Sequence, residues 1–79
     1  MTEVKVLGMG CANCHRTQAL IEDVALSAGV PIALEKVEDP QQFAVYGVMR
    51  TPGVVIDGRL VHAGGVPARE IVQSWFTRG

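Results

Sequence analysis

The chain has 79 residues, with 7 Lys and Arg against 8 Asp and Glu, and a net charge of −1. We expect one domain over 1–79, because a chain of this length builds a core worth only about 3–5 kcal/mol. The scattered charges exclude a nucleic-acid or anionic-membrane partner, and no apolar run approaches the roughly 20 residues that cross a bilayer. No signal-peptide pattern opens the chain, so a cytoplasmic protein is expected. We also expect a monomer.

The first part of the chain predicts a strand followed by a helix. Residues 3–7 alternate well enough for a short β-strand, and glycines at 8 and 10 allow a tight connection. Residues 12–28 then repeat apolar side chains at helical spacing: Leu20, Ile21, Val24, Ala25 and Ala28. Gly29 is a natural helix end.

The middle of the chain predicts a second strand and a short second helix. Residues 31–37 are mostly apolar, so we expect this strand to be covered on both faces. A strand, a helix and a strand in one small domain imply a parallel pair with a right-handed crossover. Asp39 is a good helix cap with Pro40 in the first position, and Gly47 marks the end of this helix.

The remainder predicts a β-hairpin and a third helix. Residues 53–56 form a strand, Asp57 and Gly58 give a strong hairpin signal, and 60–63 return antiparallel. Pro67 is expected in the first turn of a helix with an apolar stripe of Ile71, Val72, Trp75 and Phe76. The predicted order is β-α-β-α-β-β-α, an α/β fold with a four-stranded mixed sheet and flanking helices.

The segment that carries the chemistry is 8–15, with the sequence GMGCANCH. Cys11 and Cys14 are the 2 cysteines of the chain, and their i, i+3 spacing at a helix start brings both sulfurs to one face. Such a pair suits a reversible disulfide or two ligands of a metal ion, since its loop is too small to staple a secreted fold. Cys11 is expected near the helix N-cap, where unpaired N–H groups and the helix dipole favour a thiolate.

Two motifs accompany this order of elements: the cysteine pair after the first strand, and Thr51-Pro52 just before the hairpin. Together they resemble the thioredoxin fold, and most closely the small thioredoxin/glutaredoxin-like redox-active disulfide proteins. In thioredoxins and glutaredoxins a cis-proline at this place lies beside the redox disulfide, and the backbone before it pairs with a bound substrate peptide. The likeness covers nearly the whole chain.

The resemblance implies a thiol-disulfide oxidoreductase that needs no cofactor. Cys11 would be the attacking thiolate and Cys14 the resolving thiol, and the two would form the redox disulfide. Thr51 and Pro52 would form the substrate-side wall, joined by a cis bond. The implied partners are a disulfide-bearing protein or a low-molecular-weight thiol, and an upstream reductase. We expect Cys11 to titrate in the range of roughly 3.5–7.5, whereas burial of Cys14 opposes its ionisation.

The chain departs from thioredoxins six residues before the first cysteine, where they carry a buried acid and this chain has Lys5. We therefore expect no nearby carboxylate to raise the pKa of either sulfur. The dipeptide between the cysteines is Ala12-Asn13, and no Trp precedes Cys11. These differences imply slow general disulfide reduction and specificity for a particular partner.

Two other interpretations stay open at this point. GMGCANC also resembles the loop of heavy-metal-associated copper-carrying domains, which would bind a soft ion through Cys11 and Cys14. Those domains run β-α-β-β-α-β and do not require Thr51-Pro52. CANCH also matches the attachment pattern of haem c, which the absence of an export signal and the strand-rich segments disfavour.

Four further side chains are given structural interpretations. His15 follows the second cysteine and is interpreted as a solvated helix residue, and His62 is assigned to the returning strand. Met9 and Met49 are expected to cover the core as loop methionines.

Overall fold

The structure is a computed structural model that describes residues 1–77. Its elements follow the predicted order: β1 (Thr2–Leu7), α1 (Ala12–Ala28), β2 (Ile32–Val37), α2 (Pro40–Tyr46), β3 (Gly53–Ile56), β4 (Arg59–Ala63) and α3 (Arg69–Phe76). The domain expected over 1–79 includes residues 78–79, which lie outside the described range. Within that range no helix combines the length and the apolar character needed to cross a membrane.

The four strands form one mixed sheet in the order β2-β1-β3-β4. β1 runs parallel to β2, from Thr2 opposite Ile32 to Leu7 opposite Val37. β3 pairs antiparallel with β1 on one side and with β4 on the other. The predicted fold class, a four-stranded mixed sheet with three helices, is therefore confirmed.

The larger part of the core lies between the sheet and the helices α1 and α3. Side chains alternate along a strand, so Val4 and Val6 of β1 both point to this face. α1 and α3 complete the cluster with buried side chains at helical spacing: Ile21, Val24, Ala25, Val72 and Phe76. On the surface an ion pair of 2.7 Å joins Arg69 of α3 to Asp23 of α1.

A smaller cluster lies on the opposite face of the sheet, beneath α2. Its buried members come from the strands and from the loop after α2: Leu7, Val37, Val48 and Val55. α2 itself has no buried residue and contributes only the half-buried Phe43 and Tyr46. Its ends are formed as predicted, since the Asp39 carboxylate accepts a hydrogen bond from the Gln41 N–H at 3.0 Å and Gly47 has a left-handed φ of 76°.

The expectation that β2 is covered on both faces is wrong. β2 is an edge strand that pairs only with β1, and Val37 is its one buried residue. Ile32 and Leu34 are half-buried against the larger cluster. An apolar run alone does not show how many neighbours a strand has, because an edge strand can pack one face on a core while the other stays open.

Two details of α3 also differ from the prediction. The helix begins at Arg69 with Ala68 as its N-cap, so the buried Pro67 precedes the cap instead of occupying the first turn. Ile71 is 49% exposed and lies outside the stripe. The short helix faces the sheet through Val72 and Phe76, and the neighbouring position 71 turns toward solvent.

Ile21→Ala is expected to lower the free energy of unfolding by about 2–5 kcal/mol. The Ile21 side chain is 0% exposed between α1 and the sheet, and its truncation leaves a cavity. Leu26 on the same helix is 82% exposed, so Leu26→Ala is the matched control and should cost less than about 0.5 kcal/mol. Urea unfolding of the reduced proteins measures both, and equal losses would contradict this packing of α1.

Candidate functional site

The two cysteines lie at the corner where β1 leads into α1. Cys11 is the N-cap of α1, as expected, with an extended backbone at φ −72° and ψ 169°. Cys11 is exposed, whereas Cys14 in the first turn is only 6% exposed. Both are free thiols, and their sulfur atoms lie 2.6 Å apart. A small movement would bring the two sulfurs to the roughly 2.05 Å of a disulfide bond.

Hydrogen bonds and burial at the start of α1 shift the pKa values of the two thiols in opposite directions. When Cys11 is a thiolate, it accepts hydrogen bonds from the Cys14 thiol and from the Cys14 backbone N–H at 3.3 Å, and these two bonds, in that order, lower the pKa of Cys11. Burial, followed by the same thiol hydrogen bond, raises the pKa of Cys14. Both directions agree with the order expected from sequence. The causes of the raised pKa of Cys14 are burial and its partner cysteine, with no carboxylate among them.

Gly8 provides the space that the Cys14 sulfur occupies. A Cβ atom built on Gly8 would overlap the Cys14 Sγ. Gly8 does not have a positive φ, so the position needs a glycine for its small volume. Its backbone cannot easily retreat, because the Gly8 N–H donates to the Val37 carbonyl at 2.9 Å. The sequence suggested only a tight turn for this glycine, and its contact with Cys14 was missed.

The loop between α2 and β3 reaches the same corner. The Thr51–Pro52 peptide bond is cis, as expected. Thr51 is exposed and Pro52 is buried. The Thr51 Cβ lies 3.6 Å from the Cβ position of Gly8, whose other neighbour is Cys14. The structure thus brings the Thr51-Pro52 loop and the cysteine corner together around Gly8.

The two loop methionines lie in the surface segments next to these motifs. Met9, in the turn before Cys11, is 64% exposed, and Met49, two residues before Thr51, is 95% exposed. The expectation that they cover the core is wrong, since Val48 fills the smaller cluster and Met49 points outward. They leave apolar side chains in the two loops that approach Gly8.

A small cavity of about 10 Å³ adjoins Cys14. Its walls come from the end of β1, the first turn of α1 and the end of β2: Val6, Gly8, Gly10, Cys14, His15, Lys36 and Glu38. The Glu38 Oε2 atom lies 3.1 Å from the Cβ position of Gly10. A carboxylate therefore shares a cavity with the buried cysteine, and sequence reasoning missed it. The predicted parallel pairing of β1 and β2 was the signal that could have found it, because a register that pairs Leu7 with Val37 sets Glu38 beside Gly8.

Lys5, which occupies the position where thioredoxins carry a buried acid, points to the face of the sheet that α2 covers. Its Nζ donates to the Tyr46 hydroxyl at 3.3 Å, and this hydrogen bond is the main cause that raises the pKa of Lys5. His62 lies in β4, where its ring nitrogen is 2.9 Å from the Gly65 carbonyl oxygen. Neither residue lines the cavity beside Cys14.

Comparison with known proteins identifies the family of this chain. The family described as the thioredoxin domain matches residues 2–77, and the chain belongs to that family. It is 29% identical over 73 residues to a protein named thioredoxin from Methanocaldococcus jannaschii, in an alignment that covers 92% of this chain and 84% of that protein. The resemblance drawn from the two motifs is thereby confirmed, and the family supports an oxidoreductase-like role in thiol-disulfide exchange.

In the reduced protein, iodoacetamide is expected to modify Cys11 faster than Cys14 and at lower pH than an ordinary thiol. Only the thiolate reacts, and the pKa is lowered for Cys11 and raised for Cys14. Peptide mapping after timed alkylation between about pH 4 and 10 gives both rates. The urea-unfolded protein, in which the two thiols should react alike, is the control. Faster modification of Cys14 at neutral pH would contradict the assignment.

Gly8→Ala is expected to destabilise the reduced protein by about 1–3 kcal/mol, the usual cost of overpacking. The added methyl overlaps the Cys14 sulfur, so the cost should shrink when Cys14→Ala removes that atom. Urea unfolding of the two single variants and the double variant forms a cycle that isolates this contact. If Gly8→Ala lowers the free energy of unfolding equally with and without the Cys14 sulfur, Gly8 is needed for another reason.

Proposed function

We propose that this protein is a thiol-disulfide oxidoreductase in which Cys11 attacks and Cys14 resolves. The observation that carries the proposal is the pairing of two unlike thiols at one helix start. Cys11 is exposed and its pKa is lowered, whereas Cys14 is buried and its pKa is raised. The two sulfur atoms lie 2.6 Å apart. An exposed thiolate can meet a partner, and a buried thiol beside it can complete the exchange.

The reaction is a pair of sulfur displacements. The Cys11 thiolate attacks one sulfur of the partner's disulfide, which breaks that bond and releases one partner thiolate. Cys14, as a thiolate, then attacks the Cys11 sulfur of the mixed disulfide. The Cys11–Cys14 bond forms, and the second partner sulfur leaves with the electron pair and takes up a proton. Two electrons pass from the protein to the partner, and a second thiol system must return them.

Thr51 and Pro52 form the wall that faces the partner in this proposal. The support is their position, because Thr51 lies against Gly8 beside the cysteine corner and remains exposed. The exposed Met9 and Met49 extend that wall with apolar surface. A disulfide-bearing protein or a low-molecular-weight thiol would bind there, and an upstream reductase would restore the thiols. The exchange needs no cofactor, and we propose a monomer acting in the cytoplasm, where a close cysteine pair is kept available for catalysis.

The copper-carrier interpretation has less support. The element order is β-α-β-α-β-β-α rather than the β-α-β-β-α-β of those domains, and the family match is to the thioredoxin domain.

Trapping variants test the assignment of roles. Cys14→Ser is expected to accumulate a mixed disulfide through Cys11 with a disulfide-bearing protein such as insulin, because attack proceeds and resolution cannot. Cys11→Ser should trap almost none, since Cys14 is buried and its pKa is raised. Non-reducing gels and mass spectrometry of the alkylated products measure both, and the double variant is the blank. Trapping mainly through Cys14 would reverse the roles.

A parallel metal titration separates the two functional classes. Reduced wild-type protein is titrated with Cu(I) and with Zn(II) against a competing chelator, and the same preparation is assayed for reduction of insulin. The oxidoreductase proposal expects insulin reduction with turnover when a reductant is supplied. Tight stoichiometric metal binding without any disulfide exchange would favour the carrier.

A further inference from the structure

The resolving step needs a group that removes the proton of Cys14. Cys14 is 6% exposed, and burial raises its pKa, so at neutral pH it is held as a thiol. Only a thiolate is an effective nucleophile toward a disulfide. Cys11 cannot take this proton in the mixed disulfide, because its sulfur is then bonded to the partner. The acceptor must therefore be a group other than Cys11 that has access to the Cys14 sulfur.

The cavity of about 10 Å³ beside Cys14 is the place where such a group can act. A volume of this size is about that of one water molecule. Three ionisable side chains besides Cys14 line the cavity: His15, Lys36 and Glu38. The Lys36 ammonium carries only hydrogen-bond donors and cannot accept a proton. His15 follows Cys14 in α1, so its side chain leaves the helix about 100° away from that of Cys14.

Glu38 reaches the cavity from the end of β2. The parallel register pairs Leu7 with Val37, so Glu38 follows β2 at the level where Gly8 follows β1. Its Oε2 atom lies 3.1 Å from the Cβ position of Gly10, over the turn that precedes Cys11. Its side chain is exposed, and therefore a proton that it receives can pass on to solvent. Glu38 thus shares with the buried Cys14 a cavity with room for one water molecule and is itself exposed to solvent.

We infer that Glu38 is the proton acceptor for Cys14 in the resolving step, an inference that rests on the proposed function. The Cys14 thiol gives its proton through the water-sized cavity to the Glu38 carboxylate. The Cys14 thiolate attacks the Cys11 sulfur, and the Cys11–Cys14 bond forms as the bond between Cys11 and the partner breaks. The partner's sulfur leaves with the electron pair and takes up one proton, and Glu38 returns its proton to solvent.

A single-turnover reaction with glutathione disulfide tests this role without requiring a physiological partner. Reduced protein is mixed with excess glutathione disulfide, quenched with acid at intervals and analysed by mass spectrometry for the mixed disulfide and the internal disulfide. In Glu38→Gln the second step is expected to slow at neutral pH by a factor on the order of 10², so the mixed disulfide accumulates. The loss should disappear at high pH, where hydroxide removes the proton. The attack by Cys11 should be unchanged.

Matched variants separate proton transfer from a change of structure. Glu38→Asp keeps a carboxylate and should retain most of the rate. Glu35→Gln removes the same charge from β2 at a residue paired with Lys5 on the other face of the sheet, and should behave as wild type. His15→Gln should also leave the resolving rate unchanged. Slowing by His15→Gln without slowing by Glu38→Gln would assign the proton to His15 and overturn the inference.

Chemical rescue provides the decisive readout. In Glu38→Ala, added formate or acetate should accelerate resolution in proportion to its concentration, whereas wild-type protein should not respond. A Glu38→Gln profile that matches wild type at every pH would overturn the role of Glu38. Because glutathione disulfide reacts chemically with any exposed thiolate, that result is distinct from a failure of the proposed function, which would show as no turnover on protein disulfides by wild-type protein.

Discussion

The contact between the Cys14 sulfur and the backbone of Gly8 is the constraint on which the site depends. A side chain at position 8 would force the first turn of α1 away from the end of β1. Further along the same helix, Ile21 and Val24 are fully buried against the sheet, so the turn that carries the cysteines cannot shift without disturbing the larger core. The packing of α1 on the sheet therefore also fixes the position of the Cys14 sulfur.

The difference between the two thiols in exposure and in pKa follows from this placement. The i, i+3 spacing leaves Cys11 outside the helix as its cap and sets Cys14 one turn inside. The hydrogen bond between the sulfurs acts on both, because it stabilises a thiolate at Cys11 and opposes one at Cys14. The sequence attributed the acidity of Cys11 to the helix dipole and free N–H groups. The structure adds the partner thiol as the first cause.

Much of the fold was predictable because its signals are local. Alternation in β1, the cap at Asp39 and the left-handed glycine at 47 each depend on a few neighbouring residues, and all are found. The edge position of β2 and the partnership of Glu38 with the Cys14 cavity depend on residues far apart in the chain. Exposure of the loop methionines likewise depends on which side chain of the loop packs into the core, and here that side chain is Val48. Such features require the register of the sheet as well as its elements.

The lack of any buried residue in α2 has a consequence for the local stability of that helix. An element held by two half-buried aromatic side chains and its own caps opens locally at a lower free energy than one anchored in a main core. Thr51-Pro52 follows α2 after residues 47–50, whereas the cysteines begin α1, which is anchored in the larger cluster. In the proposed exchange, adjustment to partners of different shape would fall on α2, and the two sulfurs at the start of α1 would keep their geometry.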